Sequence, residues 1–113
     1  MIAAAPLLLA LLLQADAPAG APPEMAAAFG SWANCLHGQL DEADAEAPAR
    51  RVADAALAAC QPLQDAFVAA HARWLDGSTL REREKREARR SMARSVQQLR
   101  GNVLRLVREM RRD

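Results

Sequence analysis

The chain has 113 residues, of which 51% are hydrophobic, 26% charged and 4% aromatic, and its formal net charge is +1. Ala supplies 27 residues, while Val, Ile and Thr together supply seven and Tyr none, so the β-branched and aromatic material of a sheet is missing and all-β and doubly wound α/β folds are excluded. This length allows one small domain, and the class expected is all-α.

Residues Ile2 to Leu13 form an uninterrupted apolar run. As a helix it spans about 18 Å, well short of the roughly 30 Å hydrocarbon core of a bilayer. Ala17-Pro18-Ala19 places small side chains before a cut, and Gly20 follows it. The pattern reads as a secretory signal peptide over residues 1–19, leaving a single helical domain over residues 20–113 in the periplasm. No Lys or Arg precedes the run, so the alternative is an uncleaved segment holding the protein at the inner membrane.

Pro22 and Pro23 stand where a helix begins, because a first-turn residue has no intrahelical use for an N–H. Met25, Ala28, Phe29, Trp32, Cys35, Leu36 and Leu40 then recur on one helical face, predicting a helix over residues 22–39. The stretch Asp41-Glu42-Ala43-Asp44-Ala45-Glu46-Ala47-Pro48 is acidic and lacks large apolar groups; it is a connection. Val52, Ala56, Ala59, Leu63, Phe67, Ala70 and Trp74 mark the stripe of a second segment over residues 48–76. Inside it Pro62 removes the hydrogen bond to the Ala58 carbonyl, and a kink is expected there.

Folding the two segments back on a turn near residue 47 sets Cys35 against Cys60, Trp32 against Leu63, Leu40 against Ala56, and Phe29 within a turn of Phe67. The cysteines and the apolar stripes thus require the same antiparallel register. In an exported protein an even cysteine count reads as a disulfide, and the helical hairpin over residues 22–76 is expected to be pinned by Cys35–Cys60. A redox dithiol usually has Cys-x-x-Cys spacing, which is absent.

Gly77 suits the left-handed position after a helix, and Thr79 with Glu82 matches a capping box. A third helix is therefore expected over residues 79–112. Its apolar residues Met92, Val96, Leu99, Val103, Leu106 and Met110 alternate at spacings of four and three, an a/d stripe short of a convincing coiled coil. The first turns, Arg81 to Arg90, carry almost no apolar residue and are expected to project beyond the hairpin. Gly101-Asn102 is the expected place for a bend. Residues 20–77 carry three Arg against eight acids, whereas residues 78–113 carry 11 Arg and one Lys against five. The near-neutral total conceals a dipolar molecule.

The chemistry-bearing residues do not assemble into a catalytic pattern. His37 lies two residues after Cys35, and i, i+2 side chains of a helix point to different faces. The register also sets His71 away from the cysteine level, so four zinc ligands do not converge. The five glycines are scattered and form no phosphate-cradling loop. No enzyme, metal or cofactor is expected.

Trp32-Ala-Asn-Cys35-Leu36, an acidic connection and Val52-Ala-Asp-Ala-Ala-Leu-Ala-Ala-Cys60 together resemble small uncharacterised exported helical proteins of alphaproteobacteria, in which a Cys on one helix faces a Cys on the next. The resemblance covers about a quarter of the chain and implies a disulfide-linked helical hairpin in the cell envelope, with no implied activity. The function expected is that of a small non-catalytic periplasmic interaction or structural protein. Contact runs through the basic helix, with Arg81, Arg83, Lys85, Arg86, Arg89, Arg90 and Arg94 offering the charge. The partner is another protein or a second copy docked on the Met92–Met110 stripe. The alternative is a peripheral binder of an anionic membrane or lipopolysaccharide surface. Nucleic acid is disfavoured by the compartment and by the lack of aromatics among the arginines.

Overall fold

The computed structural model describes residues 22–112. The expected signal peptide and its cut after Ala19 lie outside the described residues. Helices account for 86% of the structure, and no strand occurs among the described residues. The all-α class is confirmed.

Helix α1 (Pro23–Glu42) starts on the two prolines, with the Met25 N–H donating to the Pro22 carbonyl at 3.0 Å. It continues three residues past the expected end, until Ala43 turns extended at φ −67°, ψ 144°. In the connection the Asp44 side chain accepts the Glu46 N–H at 2.9 Å and its carbonyl accepts the Ala47 N–H at 3.1 Å. The turn is therefore built by the aspartate's own local bonds. Pro48 then precedes α2 (Ala49–Ala59).

The second segment is two helices. A kink was expected at Pro62; instead the chain stops at Ala59 and restarts as α3 (Gln61–Asp76), with Cys60 between them at φ −100°, ψ 6°. The physical reason lies in the bonds on either side. The Cys60 N–H still donates to the Ala56 carbonyl, ending α2, while the Leu63 and Gln64 N–H groups both donate to the Cys60 carbonyl. Pro62 sits in the first turn of a new helix, where its missing N–H leaves no vacancy.

The break also changes which residues face inward. Cys60 takes the inward place and is fully buried, whereas Ala59, expected on the stripe, is exposed. At the far end Leu75 is fully buried and Trp74 only half-buried. Val52, Ala56, Phe67 and Ala70 are buried as expected, together with Met25, Trp32, Leu36 and Leu40 of α1.

Cys35 and Cys60 form the expected disulfide, their Cα atoms 5.8 Å apart. Toward the other end of α1, Phe29 meets Phe67 edge-on at 5.3 Å between ring centroids, and Glu24 meets Arg73 at 2.6 Å. Trp32, expected opposite Leu63, stacks on Phe67 at 5.5 Å and 27°. Among the described residues its buried indole N–H has no hydrogen-bond partner, and a buried donor left unpaired costs about 1–3 kcal/mol. The stack and the surrounding apolar burial must offset it.

Helix α4 (Glu82–Arg112) runs unbroken through Gly101 and Asn102, where a bend was expected. Its start differs from the expectation in two respects. Gly77 ends α3 at φ −88°, ψ −1°, a right-handed conformation that any residue adopts, with its N–H on the Arg73 carbonyl. Ser78 then folds back onto α3, its hydroxyl donating to the Leu75 carbonyl at 2.7 Å and accepting from the Leu80 N–H. With Gly77 and Ser78 used in finishing α3, the residue that caps α4 moves from Thr79 to Arg81. The Glu84 carboxylate accepts the Arg81 N–H at 3.2 Å, and the Lys85 N–H reaches the Arg81 carbonyl at 3.0 Å. This is the backward-reaching half of a capping box, shifted by two residues.

The buried face of α4 is Leu99, Val103, Leu106 and Val107, which join one core with α1, α2 and α3. Arg100 fastens the same stretch to α2 through two bonds to the Asp54 carboxylate, at 2.7 and 3.2 Å. Near the C-terminus Arg111 donates to the Asp44 carbonyl at 3.1 Å.

Candidate functional site

Helical periodicity decides which side of α4 is left exposed. With about 100° between successive residues, Leu99, Val103, Leu106 and Val107 share one side, and that side is spent on the protein's own core. Opposite it, within an arc of about 60°, lie Arg83, Arg90, Arg94, Arg105, Arg108 and Arg112, all exposed. Arg86 lies about 40° outside this arc. The row covers about 44 Å at 1.5 Å per residue, nearly the 49 Å long dimension of the molecule.

The seven basic residues expected to make contact divide between two fates. Among the described residues Arg83, Arg86 and Arg94 are exposed and carry no acidic partner, and Arg90 has only Glu87 at 3.9 Å on its own helix. Arg81 is exposed beside the helix start. Lys85 is different: its side chain is 11% exposed and 3.4 Å from Glu82. Arg89 reaches across to Asp76 of α3 at 2.9 Å. The first turns of α4 were expected to project freely, but Lys85 and Arg89 are held against the rest of the molecule because they lie on the flank nearest α3.

Sequence reasoning missed two groups. Arg105, Arg108 and Arg112 continue the outer row, and the helical spacing that links them to Arg83, Arg90 and Arg94 was present in the sequence. Arg100 and Asp54 are 46 residues apart, and no local pattern joins them. Only the packing of α4 on α2 does.

The Arg100 guanidinium, hydrogen-bonded to Asp54, holds that carboxyl below its ordinary value of 3.8, and Asp54 in turn raises the Arg100 value. Because the folded value is the lower one, this contact supports folding fully above the ordinary carboxylate range. The support is lost as pH falls through the folded value. Asp54→Asn is therefore expected to flatten the acid side of the stability curve. Thermal melts stepped down through the carboxylate range check this, and parallel curves for the two proteins would refute it.

Between α3 and the first half of α4 runs an open groove floored by Val68, Ala72, Met92 and Val96, with His71 and Arg89 among its lining residues. Burial holds the His71 imidazole below its ordinary range, and its ring lies 6.0 Å from that of Trp74. His37 is on α1, its Nε2 3.3 Å from an Asp41 carboxylate oxygen but outside hydrogen-bond geometry. Among the described residues no three His, Cys, Asp or Glu side chains gather as metal ligands, and no helix is long and apolar enough to cross a membrane. Of the expected self-association stripe, Leu99, Val103 and Leu106 are buried within the chain, Met92 and Val96 line the groove, and Met110 is 45% exposed.

Compared with known protein families, with curated proteins and with solved structures, the chain finds no match.

Proposed function

We propose that the chain is a small exported, non-catalytic interaction protein, in which a disulfide-pinned antiparallel hairpin of α1 against α2–α3 carries a basic amphipathic helix whose outer face makes the contact. One observation carries this reading. The arginines facing the hairpin are used internally, Arg89 on Asp76, Arg100 on Asp54 and Arg111 on Asp44. Those facing outward lack partners on the other helices. Surface ion pairs contribute little to stability, so a row of six arginines interrupted by only one acid, Glu87, is a poor structural device and a good recognition surface.

The export part of the reading is supported by the disulfide, which persists in oxidising compartments, and by the apolar run at Ile2–Leu13. A fusion of the full chain to alkaline phosphatase, an enzyme that matures only outside the cytoplasm, tests it. An active fusion is expected; an inactive, cytoplasmic one would overturn export.

The contact surface is tested on immobilised heparin as a generic polyanion. Arg105→Gln with Arg108→Gln is expected to elute at clearly lower salt than the parent, and Arg89→Gln with Arg100→Gln close to it. Equal shifts for the two pairs would mean that net charge alone is being read, and would remove the outer face from its role.

A further inference from the structure

We propose that the outer face of α4 docks on an anionic phospholipid bilayer, with the helix lying flat along the headgroups and inserting nothing. This rests on the reading of that face as the contact surface and names its partner.

Four observations lead there. The row formed by Arg83, Arg90, Arg94, Arg105, Arg108 and Arg112 follows one side of an unbroken 31-residue helix, so its charges meet a plane together. Arg90 with Arg94 and Arg108 with Arg112 are like charges at i, i+4, a spacing unfavourable to the helix itself. A layer of phosphate groups relieves that repulsion beyond what salt screening in water does. The apolar residues that an inserting helix would bury in the acyl region, Leu99, Val103, Leu106 and Val107, are already 7% exposed or less within the chain. That leaves charge as the source of binding. Finally, the net negative charge of residues 23–76 lies on α1, the connection and α3, while α2, which α4 covers by its opposite face, carries Arg50 and Arg51 against Asp54. An anionic plane therefore attracts one side and repels the other, which fixes a single orientation. Along the row there is neither an aromatic side chain nor a groove, the features with which proteins grip a single nucleic acid strand.

The test is co-sedimentation of the purified, oxidised protein with vesicles of phosphatidylcholine alone and of phosphatidylcholine mixed with phosphatidylglycerol, at low and high salt. Binding is expected only to the anionic vesicles, with release at high salt. Each arginine removed from the row lowers partitioning about fivefold. Arg105→Gln with Arg108→Gln therefore loses about 25-fold, while Arg105→Lys with Arg108→Lys retains binding. Arg89→Gln with Arg100→Gln loses far less. Circular dichroism of each variant confirms that the helices remain. The surface pressure of a phosphatidylglycerol monolayer should stay constant, and a rise would overturn docking without insertion. Sedimentation with neutral vesicles, or binding that survives high salt, would also overturn the proposal. Failure on anionic vesicles with arginine-dependent retention on heparin would remove the bilayer and leave the contact surface standing. Failure on both would remove both.

Discussion

Phe67→Ala is expected to lower the folding free energy by about 3–5 kcal/mol, the range for emptying a buried aromatic site. Phe67 is 2% exposed and sits between two other rings, edge-on to Phe29 and stacked on Trp32. The chain has only two Phe and two Trp, and three of these four rings make this cluster. The rest of the buried apolar interior is Leu, Val, Met, Cys60 and four Ala residues, none of which has the volume to fill a lost ring. A domain of this size has about 5–14 kcal/mol of stability in all, so the variant retains a small margin or none. Urea unfolding followed by Trp fluorescence measures the difference directly, because Trp32 reports on the site itself. Phe67→Leu, which keeps most of the volume, should recover more than half of the loss. A loss below about 1.5 kcal/mol for the Ala variant would mean that the site collapses around the deletion, and that the rings do not organise the core.

The features legible in the sequence are those carried by repetition. The α1 stripe could be read because Met25, Trp32, Leu36 and Leu40 keep one phase over a helix with no internal breaker, and those residues are buried. The cysteine pair could be read because parity and the apolar register converged on it. What failed was decided by competition for backbone hydrogen bonds. Pro62 bends a helix or begins one depending on whether the helical ladder still runs at Cys60. Here Cys60 leaves helical geometry at φ −100°, ψ 6°, and Pro62 falls in the first turn of a new helix. Thr79 would have capped α4 had Ser78 not bonded back to Leu75. The candidate surface was half legible. The stretch Arg81–Arg90 stands out because it carries almost no apolar residue, although the outer row continues through Arg105, Arg108 and Arg112 at ordinary helical spacing. Taking Arg89 out of the contact set required knowing where Asp76 stands in space, which no local pattern encodes.

Removal of the disulfide by Cys35→Ala with Cys60→Ala should lower stability by about 3 kcal/mol and the thermal midpoint by roughly 12–24 °C for a domain this small. The bond closes a loop with a sequence separation of 25, so much of the effect is restriction of the unfolded chain. Its position adds a native-state role. Cys60 is the single residue between α2 and α3, and no continuous helical ladder carries the chain across that junction. The bridge ties the junction to α1, and α4 rests on α2 just before it through Arg100 and Asp54. Loosening there should spread to the seat of α4, so hydrogen exchange in the Ala variant should rise first at residues 58–64 and then along residues 99–107. Protection lost uniformly would leave only the unfolded-state effect. The same geometry separates a structural bridge from a redox pair. Cys60 is completely buried and Cys35 half-buried, and thiol exchange requires a thiolate to reach a sulfur. Folded protein in a glutathione buffer should therefore stay oxidised until denaturant opens it. Reduction in buffer, with the helices intact, would return Cys35 and Cys60 to the redox role that their spacing argues against.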